Sequence, residues 1–156
     1  MKDLELPGYS FKIIEEDGFR KIFDPVRRIF VKLTPEEWVR QNFINYLINK
    51  LNYPAGLISV EREFKWNRLQ RRTDMVVYSR DGEPLILVEC KAPDVKIDGG
   101  VFDQITSYNM KLKAPVMVIT NGVNHYACVA DENSGGLRFL TSIPPYEEVE
   151  KFIGEL

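Results

Sequence analysis

The chain has 156 residues, of which 44% are hydrophobic and 28% charged, with a formal net charge of −2. That length suits one domain with a substantial core. The charge excludes a generic polyanion binder, so nucleic-acid contact must come from a local basic patch. No apolar run has membrane-spanning length and no charged-then-apolar leader opens the chain, so neither a membrane partner nor a signal peptide is expected. The two cysteines, Cys90 and Cys128, follow no metal-type spacing and fall in predicted strands. They read as buried, reduced thiols of a cytoplasmic protein.

In chain order, Met1 to Gly8 is expected to be a poorly ordered start. Tyr9 to Ile14 and Arg20 to Phe23 can pair as short strands across Glu16-Asp17-Gly18, and Val26 to Leu33 alternates weakly as a further strand. Residues 1–33 are therefore taken as an N-terminal extension of the same domain. Thr34-Pro35-Glu36-Glu37 is a helix start, with Thr34 as N-cap, Pro35 at the first helical position and Glu37 completing a capping box. Val39, Phe43, Tyr46, Leu47 and Leu51 follow as a buried stripe, and Pro54 ends the helix. Leu57 to Trp66 is a strand candidate with Ile58, Val60 and Phe64 inward. Asn67 to Arg72 reads as a polar, basic connection.

Thr73 to Tyr78 and Leu85 to Lys91 read as a β-hairpin. Asp81-Gly82 lies between them, a pair suited to a two-residue type I′ turn. Counting outward sets Arg80 opposite Glu83, Tyr78 opposite Leu85, Val76 opposite Leu87 and Asp74 opposite Glu89. Residues two apart share a strand face, so Lys91 joins Glu89. Like charges directly opposite each other destabilise a sheet. A divalent cation between two carboxylates would give the pair a reason, since Mg²⁺ takes one or two carboxylates plus waters and phosphate oxygens. Ala92 to Gly100 is a loop, Val101 to Leu112 a helix, and Pro115 to Thr120 a strand buried on both faces. Asn121-Gly122 turns into His125 to Ala130. Leu137 to Leu140 and a short helix from Pro144-Pro145 through Phe152 close the chain. The element order argues for an α/β (α+β) domain with a mixed central β-sheet flanked by helices.

Asp74, separated by 14 residues from Glu89-Cys90-Lys91, resembles the PD-(D/E)xK nuclease motif, with Thr73 where a proline often stands. Gln104 and Tyr108 resemble the QxxxY signature of the RecB-like group. Together with Ala92-Pro93 and Thr120-Asn121-Gly122, these motifs resemble the N-terminal nuclease domain of type I restriction enzyme R subunits, over roughly Thr34 to Asp131. The resemblance implies a restriction-endonuclease-like core over 34–156 and a Mg²⁺-dependent DNA endonuclease, with Mn²⁺ as a substitute. It also implies phosphodiester hydrolysis leaving a 5′-phosphate. Asp74 and Glu89 would hold the metal, with the carbonyl of Cys90 as a further ligand, and Lys91 would orient the attacking water. The chain has no GxxxxGK phosphate loop, so a translocase or other restriction-system subunits are expected partners.

Each of these residues also has a plainer reading. Lys91 can simply neutralise the two carboxylates. Glu37 can serve only the capping box or lie near the metal, and Glu36 is its rival. Tyr108 can be core, whereas the resemblance gives Gln104 and Tyr108 a role at the nucleic-acid backbone or behind Lys91. Arg68, Arg71 and Arg72 are either a solvated loop or phosphate contacts. His125, Trp38 and Trp66 read as structural. The competing function is a non-catalytic DNA- or partner-binding module on the same fold, and an inert α/β scaffold is a weaker alternative.

Overall fold

A computed structural model of the chain describes residues 3–66, 69–131, 133 and 135–154, with side chains described for all of these except 61–66, 69–74 and 152–154. Two sheets form among them. The first holds β1 (Ile13–Glu16), β2 (Phe19–Asp24) and β3 (Ile29–Lys32), all antiparallel. Helix α1 (Pro35–Asn49) and a 3-10 turn at Ala55–Leu57 lead into the second sheet. Its six strands are β4 (Ile58–Trp66), β5 (Leu69–Tyr78), β6 (Pro84–Cys90), β7 (Val116–Thr120), β8 (His125–Ala130) and β9 (Leu137–Phe139), side by side in that order. Helix α2 (Gly99–Leu112) joins β6 to β7, and α3 (Tyr146–Gly154) follows β9. The β6–β7 pair is parallel and every other pair antiparallel. A parallel pair needs a long crossover, and α2 supplies it. The expected mixed sheet with helices on both faces is what forms.

Strand alternation divides the core in two. Met75, Val77, Ile86, Val88, Cys90, Val116 and Val118 turn towards α1, where Val39, Phe43, Ile44 and Leu47 meet them. Val76, Leu87, Met117, Ile119 and Cys128 turn towards α2 and its Ile105. All five residues of β7 are buried, as expected of a strand covered on both faces. The predicted stripe on α1 packs as read, with Tyr46 partly buried at its edge. Arg40, Gln41 and Asn42 are buried too, because the N-terminal segment covers the outer side of the helix. Phe11 meets Trp38 edge-on at 5.2 Å, and Gln41 donates to Asp24 of β2 at 3.0 Å. Trp38 is thus a packing residue, while Trp66's side chain lies outside the described residues. Both cysteines are free and buried, and burial pushes the Cys128 thiol up to about 11.

Three expectations are corrected. The stretch from Leu4 to Leu6 is tied down: Glu5 N–H donates to Gly122 O at 2.8 Å, and Leu4 and Leu6 pack on the core. The basic connection is shorter than read, because β5 already begins at Leu69 and pairs Arg71 with Phe64 and Arg72 with Glu63. Finally, the Asp81-Gly82 turn is not type I′. Asp81 keeps a negative φ, and only Gly82 is left-handed, at +82°. Gly82 N–H donates to Ser79 O at 3.0 Å and Ser79 N–H to Glu83 O at 2.7 Å, a longer loop of the kind that carries a left-handed glycine. The true two-residue turn with two positive φ values lies between β1 and β2, at Asp17 (55°) and Gly18 (77°).

The longer loop shifts Tyr78 to face Pro84 rather than Leu85, and a bulge between Val77 and Tyr78 absorbs the shift. Beyond it the count from sequence holds: Val77 faces Ile86, Val76 faces Leu87 and Met75 faces Val88. A Cβ at Gly82 would meet nothing within 4 Å, so Gly82→Ala carries only the cost of a left-handed backbone, about 1–2 kcal/mol. Urea unfolding of that variant is expected to show a midpoint loss of this size with the slope unchanged.

Candidate active site

Strand β6 emerges from the core at its C-terminal end. Leu87 is fully buried beneath α2, and Glu89, two residues on, reaches the rim on the same side. Lys91 lies one step beyond the last residue of β6. Its N–H donates to Thr120 O at 2.8 Å and so extends the pairing with β7. Its ammonium sits 3.0 Å from Glu89 Oε1, with side-chain exposures of 23% for Lys91 and 18% for Glu89. The carboxylate and ammonium expected on one face are therefore together. Cys90, between them, turns its thiol into the opposite core, which leaves its main-chain carbonyl as the only group it can offer at the rim.

Position 74 carries the strand parity of Val76. The register at Met75 and Val88, continued by one pair, sets it opposite Glu89. Residues 61–74 have no described side chains, so those of Asp74, Arg71 and Arg72 lie outside the described residues, as does Arg68 altogether. Among the described residues there is no cluster of three metal-ligating side chains. Magnesium does not require one: one or two carboxylates with waters and phosphate oxygens suffice. Glu89, an oxygen donor of the right hardness at a solvent-open rim, fits that ion.

The loop after Lys91 is held by the turn after β7. Asn121, buried, donates through Nδ2 to Val95 O at 2.9 Å and accepts from Val123 N at 3.0 Å and Asn124 N at 2.7 Å. Thr120 Oγ1 accepts from Gly122 N at 2.9 Å and contacts His125 Nδ1 at 2.7 Å. Gly122, at φ +85°, completes the bend. The Thr120-Asn121-Gly122 motif thus ties the chain beyond Lys91 to the end of the neighbouring strand. His125 is structural, as read from sequence. Its Nε2 lies 2.9 Å from Glu5 O, so it also fastens the N-terminal segment.

Gln104 is exposed on α2, and Tyr108, one turn on, packs partly buried into the core beneath Glu89's face. Glu37 lies on the helix that covers the other face of the sheet, in a cleft that is also lined by Ala92, the residue after Lys91. Thr34 Oγ1 accepts from Glu37 N at 3.0 Å, which is half of the expected capping box. The Glu37 carboxylate instead takes Arg27 Nη2 at 2.9 Å, Arg40 Nη1 at 2.9 Å and Gln41 Nε2 at 3.3 Å. Glu36, its rival, pairs with Arg40 at 3.1 Å. Sequence reasoning missed Asp24, which anchors this cluster. It is fully buried and accepts from Val26 N at 2.7 Å, Arg27 N at 3.0 Å, the Arg27 guanidinium and Gln41. Asp24-Pro25 at the end of a predicted strand was the available signal, since aspartate at such a turn accepts from the amides two and three residues on.

A family model described as type I restriction enzyme R protein N terminus matches residues 35–144. Among curated proteins no significant match is found. Among solved structures, a fragment assigned as the HsdR subunit of a type I restriction enzyme from Vibrio vulnificus YJ016 superposes with a TM-score of 0.57 at 21% identity. The alignment covers 79% of this chain and 26% of that one, so the chain spans about a quarter of the solved fragment's length.

The buried cluster makes an acid-stability prediction. Burial pushes the Asp24 carboxyl up, but the Arg27 amide and guanidinium and the Gln41 amide outweigh it and hold it below the ordinary carboxylate value. A carboxyl lowered on folding stabilises the native state above its unfolded pKa, and that stability disappears as pH falls through the folded value. Asp24→Ala is expected to cost roughly 3–5 kcal/mol near neutrality, since it breaks a buried ion pair and leaves the Val26 and Arg27 amides and Gln41 without their acceptor. The loss should shrink as the pH drops below about 4, the unfolded value for aspartate. Urea melts of both proteins between neutral and acid pH check this.

Proposed function

This chain belongs to the type I restriction enzyme R protein N-terminus family, and from that premise we propose that it is a metal-dependent DNA endonuclease domain that hydrolyses phosphodiester bonds. The observation that carries the reading is the Glu89–Lys91 pair, 3.0 Å apart at the open end of a central strand. A partly exposed ion pair is worth about 1 kcal/mol or less to stability, so the fold has little use for it. A nuclease does.

Glu89 would hold Mg²⁺ together with Asp74, and the Cys90 carbonyl would complete the protein's share. The bound ion would supply a polarised phosphate and a more acidic water. Lys91 would do the rest from its own side chain. An ammonium carries three donors, so it can keep Glu89 in place and hold a phosphate oxygen or the attacking water. Its charge would then oppose the charge that builds on phosphorus. Gln104, exposed on the helix over the same face, would contact the sugar–phosphate backbone, with Tyr108 packed below it as support. Glu37 has a lesser part in this reading, because Arg27 and Arg40 already engage its carboxylate. DNA and other restriction-system subunits, among them a translocating one, are the partners this reading names.

Plasmid nicking with Mg²⁺ or Mn²⁺ tests the proposal. Glu89→Gln, Lys91→Ala and Asp74→Asn should each lower cleavage by at least about a hundredfold, with thermal melts close to wild type. Cleavage that persists in all three variants would rule the reading out. DNA binding without metal-dependent cleavage in the wild type would make the domain a binding module instead.

A further inference from the structure

One face of the N-terminal sheet is left over once the domain is packed. In β2, Ile22 and Asp24 point inward and are fully buried, so Phe19, Lys21 and Phe23 point outward. The register places Phe30 opposite Phe23 and Lys32 opposite Lys21 on that same outer face. Phe19 is 50% exposed. Phe23 and Phe30 meet edge to face, with centroids 5.3 Å apart. The Lys32 ammonium stands 4.3 Å from the Phe19 ring centre and that of Lys12 stands 5.5 Å from Phe30's. Lys21 is engaged by Glu16 at 3.0 Å. Lys12 and Lys32 have no carboxylate partner among the described residues.

Three rings and two unneutralised ammonium groups on one open face make an unusual surface. Lysine is depleted at protein–protein interfaces, whereas aromatic rings interleaved with cations are what unpaired nucleic acid binds. Bases stack on the rings, and phosphates meet the charges. A duplex hides its base faces and could use only the lysines. The face also leads somewhere. Lys32 lines a cleft of about 550 Å³ together with Arg27, Arg40, Glu36, Glu37 and Ala92, the residue after Lys91, and the two glutamates are ion-paired with the two arginines.

We propose that this outer face binds an unpaired DNA strand, with bases on Phe19 and Phe30 and phosphates at Lys12 and Lys32, and passes it along the cleft towards the end of β6. The delivery half rests on the nuclease reading above. The binding half does not, and it is tested without metal.

Fluorescence anisotropy in EDTA, with a labelled oligothymidylate of about 12 nucleotides, reads the face directly. Phe19→Ala should weaken binding about fivefold or more and Phe19→Leu by as much, while Phe19→Trp should bind at least as well as wild type. Lys12→Ala and Lys32→Ala should each reduce the salt slope by about 0.7, the single-strand value per phosphate neutralised. An abasic strand of the same length should bind wild type and Phe19→Ala alike. Half-exposed Phe19 can be replaced without loss of fold, and melting curves check that. No binding by wild type, wild-type affinity in Phe19→Leu, or an unchanged salt slope in both lysine variants would each overturn the proposal. Because no metal is present, failure here leaves the cleavage assay of Glu89 and Lys91 to be scored by itself.

Discussion

Everything at the candidate centre depends on strand alternation along β6. From Ile86 on, its even-numbered residues build the core beneath α1, while Leu87 faces the core beneath α2. Both faces are filled through Val88, and at the C-terminal end of the strand, still paired with β7, the odd series continues as Glu89 and Lys91. A one-residue slip would turn both into the opposite, apolar layer and bring Cys90 out in their place. The fully buried β7, paired in parallel with β6 from Ile86 through Cys90, fixes the strand against such a slip.

The hairpin shows how a register survives a misread turn. The loop after β5 is longer than two residues, and by itself it would displace every pair below it. The bulge at Val77/Tyr78 takes up the extra residue. The physical reason is burial. Val76, Val77, Ile86 and Leu87 each have a layer to fill, and the apolar area at stake over several pairs outweighs the small cost of a bulge near solvent.

The polar cluster around Asp24 plays a different part. It joins the N-terminal sheet to α1 through Arg27, Glu37, Arg40 and Gln41, and so sets the small sheet against the outer side of that helix. Such a cluster is costly to bury and more costly to break. Its geometry sets β3 beside a cleft lined by both Lys32 and Ala92, the residue after Lys91, which connects a segment without a motif to the part of the chain that has one.

Local rules in the sequence determined the cap at Thr34, the helical stripe of α1, the buried β7 and the meeting of Glu89 with Lys91. Each depends on spacings of a few residues, and the relevant periods, 3.6 and 2, hold wherever the element ends up. The family resemblance was legible for the same reason, since its motifs sit on those elements. Only the tertiary structure decided what Glu37 bonds to, because Arg27 reaches it from the turn between β2 and β3. It alone decided that Glu5 is fastened by His125, 120 residues away. It also decided that the Asp81-Gly82 loop yields to the strand pairing, since the choice between turn types costs little beside the burial of the layers on either side.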